Sequence, residues 1–502
     1  MNTANTAAAD WVLILPVVLP LLGAAVLLML SRLRDFHWLF AAAVVTAVLL
    51  LDIDLFRRTL AAAPVSMTMG NWLPPFGISF TADAMSAGFA SAAAAVTLLI
   101  LIYVQAGPRA DRPRGLYSLM LLLLAGVSGA LLTGDLFNLY VWFEVMLIAS
   151  FGLMALGGGR LQIDGTVKYG FINFLATTFF LLALGLLYGL LGTLNMADVL
   201  GAAARANPAA MAGVAALLLL AFGIKAAAFP VHVWLPASYH TPPAAVSALL
   251  AGLLTKVGVY ALLRTLVMLL PASRDVLEPV LAVVAAVTLL LAPLGAIAET
   301  NLRRALGFLV IGGIGAVMLG IAMPNENGVS GAAIYIVHAM LTMTGLYLVA
   351  GLIERATGTT DTRLMGGLYA ANAPMSVVFL VLVLAVSGVP PFLGFWPKLL
   401  LLEGGLDAAG LAAGAEIAWI PAGLALTLLL NALLTLIAGT RLWAHVFWRP
   451  GPEGERSEMP NPRLKRPARR ESWLGLGATA LLTAMVLVLG LLPNLLLEIG
   501  RS

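Results

Sequence analysis

Five ionisable side chains interrupt long apolar runs: Glu144, Lys225, Lys256, His338 and Lys398. Carboxylate, ammonium and imidazole groups take up and release protons, and each is costly to hold charged in hydrocarbon. Residues of this kind at such depth mark transport paths by default. Glu144 closes the stretch GDLFNLYVWFE, nine residues beyond Asp135, which is about 13 Å along a helix. A lone carboxylate there either locks two helices as an ion pair or carries protons. Lys225 lies in AFGIKAAAFPVHVWLP, just before an interruption marked by Pro230 and Pro236, and Lys256 follows in LLTKVGVYALL. Two buried lysines on adjacent spans cannot both stay charged cheaply, so a proton is shared, lost or passed on. Either lysine has the alternative of snorkelling to an interface; Lys256 is about 20 Å from the end of its helix, a long reach. Lys398, in SGVPPFLGFWPKLLLL, repeats the combination of long span, proline interruption, aromatic residues and one lysine.

Weaker signals surround these five. His338, in IYIVHAMLTMTGLY, has a side chain suited to a relay, because imidazole titrates near neutral pH. A hydrogen-bonded structural histidine is the alternative. Thr342 and Thr344 either hold water beside it or bond backbone carbonyls. His232 and His240, near the inner end of the broken seventh span, suit a half-channel exit and helix-end packing equally. Asp52 and Asp54 stand beside Arg57 and Arg58, which favours interfacial pairing over a cation-collecting mouth. ALGGGR is a turn and no phosphate loop, since no strand precedes it.

The elements that must position these residues follow from composition. The chain has 502 residues, 61% hydrophobic and 10% charged, with mean hydropathy +1.00. A soluble protein of this length needs a more charged exterior, and many runs here reach the roughly 20 residues that cross a bilayer. The fold class expected is an all-α polytopic membrane protein with about 14 transmembrane helices. The first three spans fall at 11–31, 37–56 and 80–106, and the next three at 115–133, 135–157 and 165–191. The seventh is broken (209–229 and 231–238), followed by 243–270, 276–298, 304–323 and 328–355. The twelfth is broken too (373–388 and 392–404), and 416–447 and 473–497 complete the set. Two broken spans five helices apart suggest two inverted five-helix repeats, a device that points to a transport path in membrane carriers. Each break also explains its lysine: an unwound turn frees carbonyls and admits water, and water lets a buried lysine titrate.

Domain limits follow: 1–112 for helices one to three, 113–271 and 272–447 for the two repeats, 448–472 for a cytoplasmic linker, and 473–502 for helix fourteen. The apolar run after MNTANTAAAD has no basic region before it and reads as a retained span. With both termini outside, the inner loops hold Arg32, Arg34, Arg109, Arg112, Arg114, Arg160, Lys168, Arg303, Arg304, Arg355 and Arg363, plus the segment WRPGPEGERSEMPNPRLKRPARR. The outer side holds only Arg57, Arg58, Arg205, Arg264, Arg274 and Arg501, an asymmetry that obeys the positive-inside rule. Cysteine is absent, which excludes disulfides, thiolate catalysis and Cys-ligated metal. No metal-ligand cluster, activated nucleophile or basic aromatic surface stands out, so no metal, cofactor, enzymatic step or nucleic-acid partner is expected.

The long blocks NWLPPFGISFTADAMSA, GDLFNLYVWFEVMLIASFGLMAL, KAAAFPVHVWLPASYHTPPAAVSALLAGLLTKVGVYALLR and SGVPPFLGFWPKLLLL carry a resemblance. The chain resembles the antiporter-like subunits shared by respiratory complex I and the Mrp/Pha multi-subunit cation/proton antiporters. Within that family, GLIERATGTTDTRLMGGLY and the overall length are most similar to the D-type Mrp/Pha subunits. The resemblance implies a 14-helix fold with inverted repeats, a carboxylate–lysine pair on spans five and seven, a central lysine on span eight, and a terminal lysine or glutamate on span twelve. Carried over, these are Glu144, Lys225, Lys256 and Lys398. Two departures stand out. Family members often carry polar residues in span ten, where FLVIGGIG has only Gly312, Gly313 and Gly315, and a second polar residue after the span-eleven histidine, where Ala339 and Thr342 stand. The central relay then depends on His338 and water.

The expected function is therefore proton translocation in a multi-subunit Na⁺ or K⁺/proton antiporter of a bacterial inner membrane. The partners are sibling membrane subunits, the cations and protons themselves, and membrane lipid. The alternatives are a proton-pumping subunit of complex I or a related membrane hydrogenase, and, in another class, a stand-alone solute carrier.

Overall fold

A computed structural model describes residues 8–30, 32, 34–61, 64–108, 112–411, 417–450, 464–465, 471–494 and 496–497. Most of the expected linker 448–472, as well as Arg109 and Arg501, lies outside the described residues. Helices α1 (Leu15–Met29) and α2 (Arg34–Ala61) lead to a small hairpin of β1 (Val65–Thr68) and β2 (Ser79–Ala82), paired antiparallel with Val65 opposite Ala82. The hairpin shortens the expected third span: α3 (Ala84–Ala106) begins only after Asp83, whose carboxylate accepts the Ser86 backbone N–H at 2.8 Å. Then come α4 (Leu116–Leu132), α5 (Leu136–Ala155), α6 (Arg160–Leu191) and a short loop helix, α7 (Met196–Ala203). The seventh span is α8 (Pro208–Ala226) followed by the half-helix α9 (Trp234–Tyr239).

Helix α10 (Ala244–Leu262) ends in a π-helical stretch, Leu263–Leu269. Next are α11 (Pro271–Ala298), α12 (Leu302–Ala322), α13 (Glu326–Thr357) and the single turn α14 (Leu368–Ala371). The twelfth span is α15 (Ala373–Ser387) and α16 (Phe395–Ala408), and the chain closes with α17 (Trp419–Trp443) and α18 (Leu476–Leu491). Among the described residues eleven helices are long and apolar enough to cross a membrane, and α1, α4 and α15 are shorter apolar ones.

Burial sorts the helices into an inside and a rim. Every residue in the most apolar window of α13 is buried, and α10 and α12 are nearly as enclosed. Helices α2, α6 and α17 leave most of their apolar surface outward, as lipid-facing helices do. Close packing depends on glycine at two places. Gly315 on α12 lies against the Leu289 backbone of α11, where an added Cβ would sit 2.9 Å from the nitrogen, and Gly258 on α10 lies against Ala226 of α8 at the same distance. The span-ten glycines thus bring helices together.

One backbone arrangement occurs twice. Leu136 N–H donates to the Leu194 carbonyl and Met196 N–H to Gly134; Leu302 N–H donates to Thr360 and Thr362 N–H to Thr300. Each member of the second set stands 166 residues after its counterpart in the first (Leu136 to Leu302, Leu194 to Thr360). Both bridges tie the start of one helix to the loop that follows the next.

Candidate functional site

The two breaks are built alike. Helix α8 ends at Ala227 in the left-handed conformation (φ 63°), and α15 ends at Gly388 (φ 84°). Such a cap terminates a helix while leaving carbonyls in need of donors. At the first break, Trp234 Nε1 donates to the Ile224 carbonyl at 3.0 Å, and the Phe229 N–H donates to Thr288 Oγ1 at 3.1 Å. At the second, Lys398 Nζ supplies the donors itself, reaching the Val386 carbonyl at 3.0 Å and Ser387 at 3.1 Å. The ammonium therefore caps the half-helix it follows, where the helix dipole favours positive charge.

Lys225 is buried in the last turn of α8, with Nζ 5.4 Å from the centre of the Phe143 ring, a cation–π contact. Glu144, next along α5, is only half-buried and forms no ion pair among the described residues, although its charge acts on Lys225. A cavity of about 10 Å³ adjoins Lys225, lined by Tyr169, Asn173 and Trp234 among others. That is room for about one water with polar neighbours.

Lys256 is enclosed within α10, its Nζ donating to the Ala251 carbonyl at 2.7 Å and to Thr255 Oγ1 at 3.2 Å. Snorkelling is thereby replaced by local carbonyl solvation. His338, on the central α13, has no solvent exposure. Its Nδ1 shares a hydrogen bond with Thr342 Oγ1 at 3.1 Å, and the Tyr335 ring meets it edge-on at 5.2 Å. Its Nε2 is buried without a partner and faces Gly394 in the second break, where an added Cβ would stand 2.9 Å from that nitrogen. Lys256 and Lys398 both lie close enough to act on His338 electrostatically.

The structure thus brings together Lys256, His338, Thr342 and Lys398 on α10, α13 and α16, with Lys225 joined through the α8–α10 contact. Thr344 bonds the Met340 carbonyl at 2.7 Å and does not face His338. His232 is half-buried beside Phe229, their ring centres 6.1 Å apart, and His240 Nδ1 sits 2.8 Å from the Pro236 carbonyl. The two aspartates separate. Asp54 pairs with Arg58 at 2.7 Å, whereas Asp52 turns inward, fully buried, with neither oxygen bonded. Pairing with the interfacial arginines therefore describes Asp54 alone. Sequence reasoning overlooked Tyr169, Asn173 and Asn431. Asn431, buried in α17, donates to the Leu289 carbonyl at 2.7 Å. A buried amide in an apolar helix was the available signal.

Residues 133–416 match the family described as "NADH:quinone oxidoreductase/Mrp antiporter, TM". The chain is 33% identical over 451 residues to the D subunit of the Na(+)/H(+) antiporter of Bacillus subtilis (strain 168), covering 89% of this chain and 88% of that protein. It superposes on a chain of the Mrp complex from Dietzia sp. DQ12-45-1b with a TM-score of 0.88 at 31% identity, over 99% and 97% of the two chains. A chain of respiratory complex I from Thermus thermophilus, at 24% identity and a TM-score of 0.81 over 98% of each chain, shares the fold.

Proposed function

This chain belongs to the NADH:quinone oxidoreductase/Mrp antiporter family, and from that premise we propose that it is the proton-translocating D-type subunit of a multi-subunit Na⁺ or K⁺/proton antiporter. It works in a bacterial inner membrane beside sibling membrane subunits, with both termini outside. Protons pass laterally from Glu144 and Lys225 through Lys256 and His338 to Lys398. The observation that carries this reading is a fully buried His338 whose ring nitrogen, unpartnered among the described residues, is turned to the helix break that the buried Lys398 caps. A solute pocket at the buried lysines gains no such support: the cavity beside Lys225 holds about one water.

The repeats at 113–271 and 272–447 are part of the same proposal, supported by the duplicated bridge and the matching left-handed caps. Each repeat supplies one broken span, and the enclosed α10 and α13 join them. The membrane potential supplies about 2.3 kcal/mol per charge per 100 mV to drive exchange along this row. The test is cation-induced collapse of a pH gradient in vesicles holding the assembled complex. Lys256→Ala lowers the exchange rate by about tenfold or more while the complex still copurifies. Full exchange in that variant, with assembly intact, overturns the reading.

A further inference from the structure

Four helix ends meet at one boundary of the bundle, far along the chain from the buried lysines. The end of α1, the start of α2, the end of α3 and the start of α4 enclose a cleft of about 490 Å³. Among the described residues its polar wall holds Arg32, Arg112 and Arg114 against one acid, Asp35. Arg32 and Arg114 have no acidic partner among the described residues. Arg112 donates Nη1 to Gln105 Oε1 at 2.7 Å, while its Nε is buried with no acceptor. The α4 N-terminus opens here behind Gly115, with no side chain capping it, and unsatisfied N–H groups there add to the attraction for an anion. Apolar side chains also line it, Leu27, Leu28 and Trp38, and at the adjoining end of α1 Leu28 and Met29 are 61% and 84% exposed.

We propose that this cleft binds the phosphate headgroup of an anionic phospholipid, with its acyl chains lying along Leu28 and Met29. A basic pocket between helix ends at the membrane boundary fits such a headgroup, and arginine forks match phosphate oxygens. The exposed apolar residues beside the arginines select a lipid over a free anion, because inorganic phosphate leaves that surface unused. The buried Arg112 Nε, without an acceptor among the described residues, gains one. This site serves the subunit's seating in the bilayer and is separate from the proton route.

The test uses the assembled complex in neutral detergent, stripped of loosely held lipid and titrated with dioleoyl phosphatidylglycerol, dioleoyl phosphatidylcholine or inorganic phosphate. Bound lipid is counted by native mass spectrometry. The unaltered complex retains a phosphatidylglycerol that phosphatidylcholine and phosphate do not replace. R32Q/R114Q weakens that binding by roughly 25-fold, each basic residue being worth about fivefold at a bilayer surface, and R32K/R114K, which keeps the charge but loses the fork, weakens it less. Both arginines are on the surface, so assembly serves as the folding control. Equal phosphatidylglycerol binding in R32Q/R114Q, displacement by phosphate alone, or equal retention of phosphatidylcholine overturns the proposal.

Discussion

Lys398 shows why charge and transfer must be separated when a buried lysine is tested. Its ammonium holds two carbonyls at the end of α15, so part of any loss on substitution is structural. Lys398→Met keeps the stem but leaves those carbonyls without donors, at a cost of about 1–3 kcal/mol. Lys398→Arg keeps the positive charge and the donors but gives up the proton, since a guanidinium does not deprotonate in proteins. If Lys398 passes protons, Lys398→Arg abolishes exchange while thermal stability of the complex stays close to the parent; an active Lys398→Arg shows a capping role alone. The sequence exposed this residue because an ionisable side chain in an apolar run is conspicuous whatever its partners. The partners were hidden because they are backbone carbonyls, Val386 and Ser387, which carry no residue-type signal. The same applies to Lys256 and the Ala251 carbonyl. Asp52 could not be told from Asp54 for a related reason: two positions apart on a helix they point in different directions, and the sequence does not say which one faces the bundle.

At the scale of elements, the breaks depend on glycines as much as on prolines. Gly394 lies where a Cβ would stand 1.9 Å from the Ala385 carbonyl oxygen and 2.8 Å from His338 Cε1. The first contact is with backbone, so the half-helices α15 and α16 must move apart to admit a methyl group. Gly394→Ala therefore displaces the break from the His338 ring and lowers exchange by about tenfold or more if the ring and the break work together. Gly423→Ala on α17, with nothing within 4 Å of the added atom, is the matched control and leaves exchange unchanged. Vesicle exchange rates for the two variants, normalised to assembled complex, decide the matter, and equal rates detach the break from the relay. The breaks themselves were legible because proline kinks or ends a helix, although Pro20, Pro279 and Pro293 lie inside helices and Pro236 falls within α9, after the break. The hairpin of β1 and β2 was not, since four-residue strands carry too little alternation to read. Helix α7 did offer a signal, Asn195 as an N-cap accepting from Ala197 N–H at 3.1 Å, but its eight residues lay below the length of a span. The π-helical end of α10, Leu263–Leu269, lies within the span the sequence enclosed, and the one after α17, Ala444–Trp448, passes its expected limit by one residue.

For the whole molecule, the direction of any proton route depends on which way the bundle sits in the membrane. The fold does not settle this, because the proposed inverted repeats give the core similar ends, whereas the distribution of basic residues distinguishes them. Helix α6 offers the cleanest comparison: Arg160 at its start and Arg205 beyond α7 are both exposed, and its 32 residues separate the two boundaries by about 48 Å. The orientation proposed above from the positive-inside rule has Arg160 in the cytoplasm with Arg303, Arg304 and Arg363, and Arg205 outside. A chain without cysteine makes this directly measurable, since an introduced thiol is the chain's sole target. A membrane-impermeant maleimide applied to intact spheroplasts labels Arg205→Cys and leaves Arg160→Cys unlabelled until the membrane is permeabilised. The reverse pattern inverts the molecule and exchanges the entry and exit sides of the route, with the lateral row of lysines and His338 left in place. Labelling of both thiols in intact spheroplasts places the two ends of α6 on one side, and α6 would then not span the bilayer.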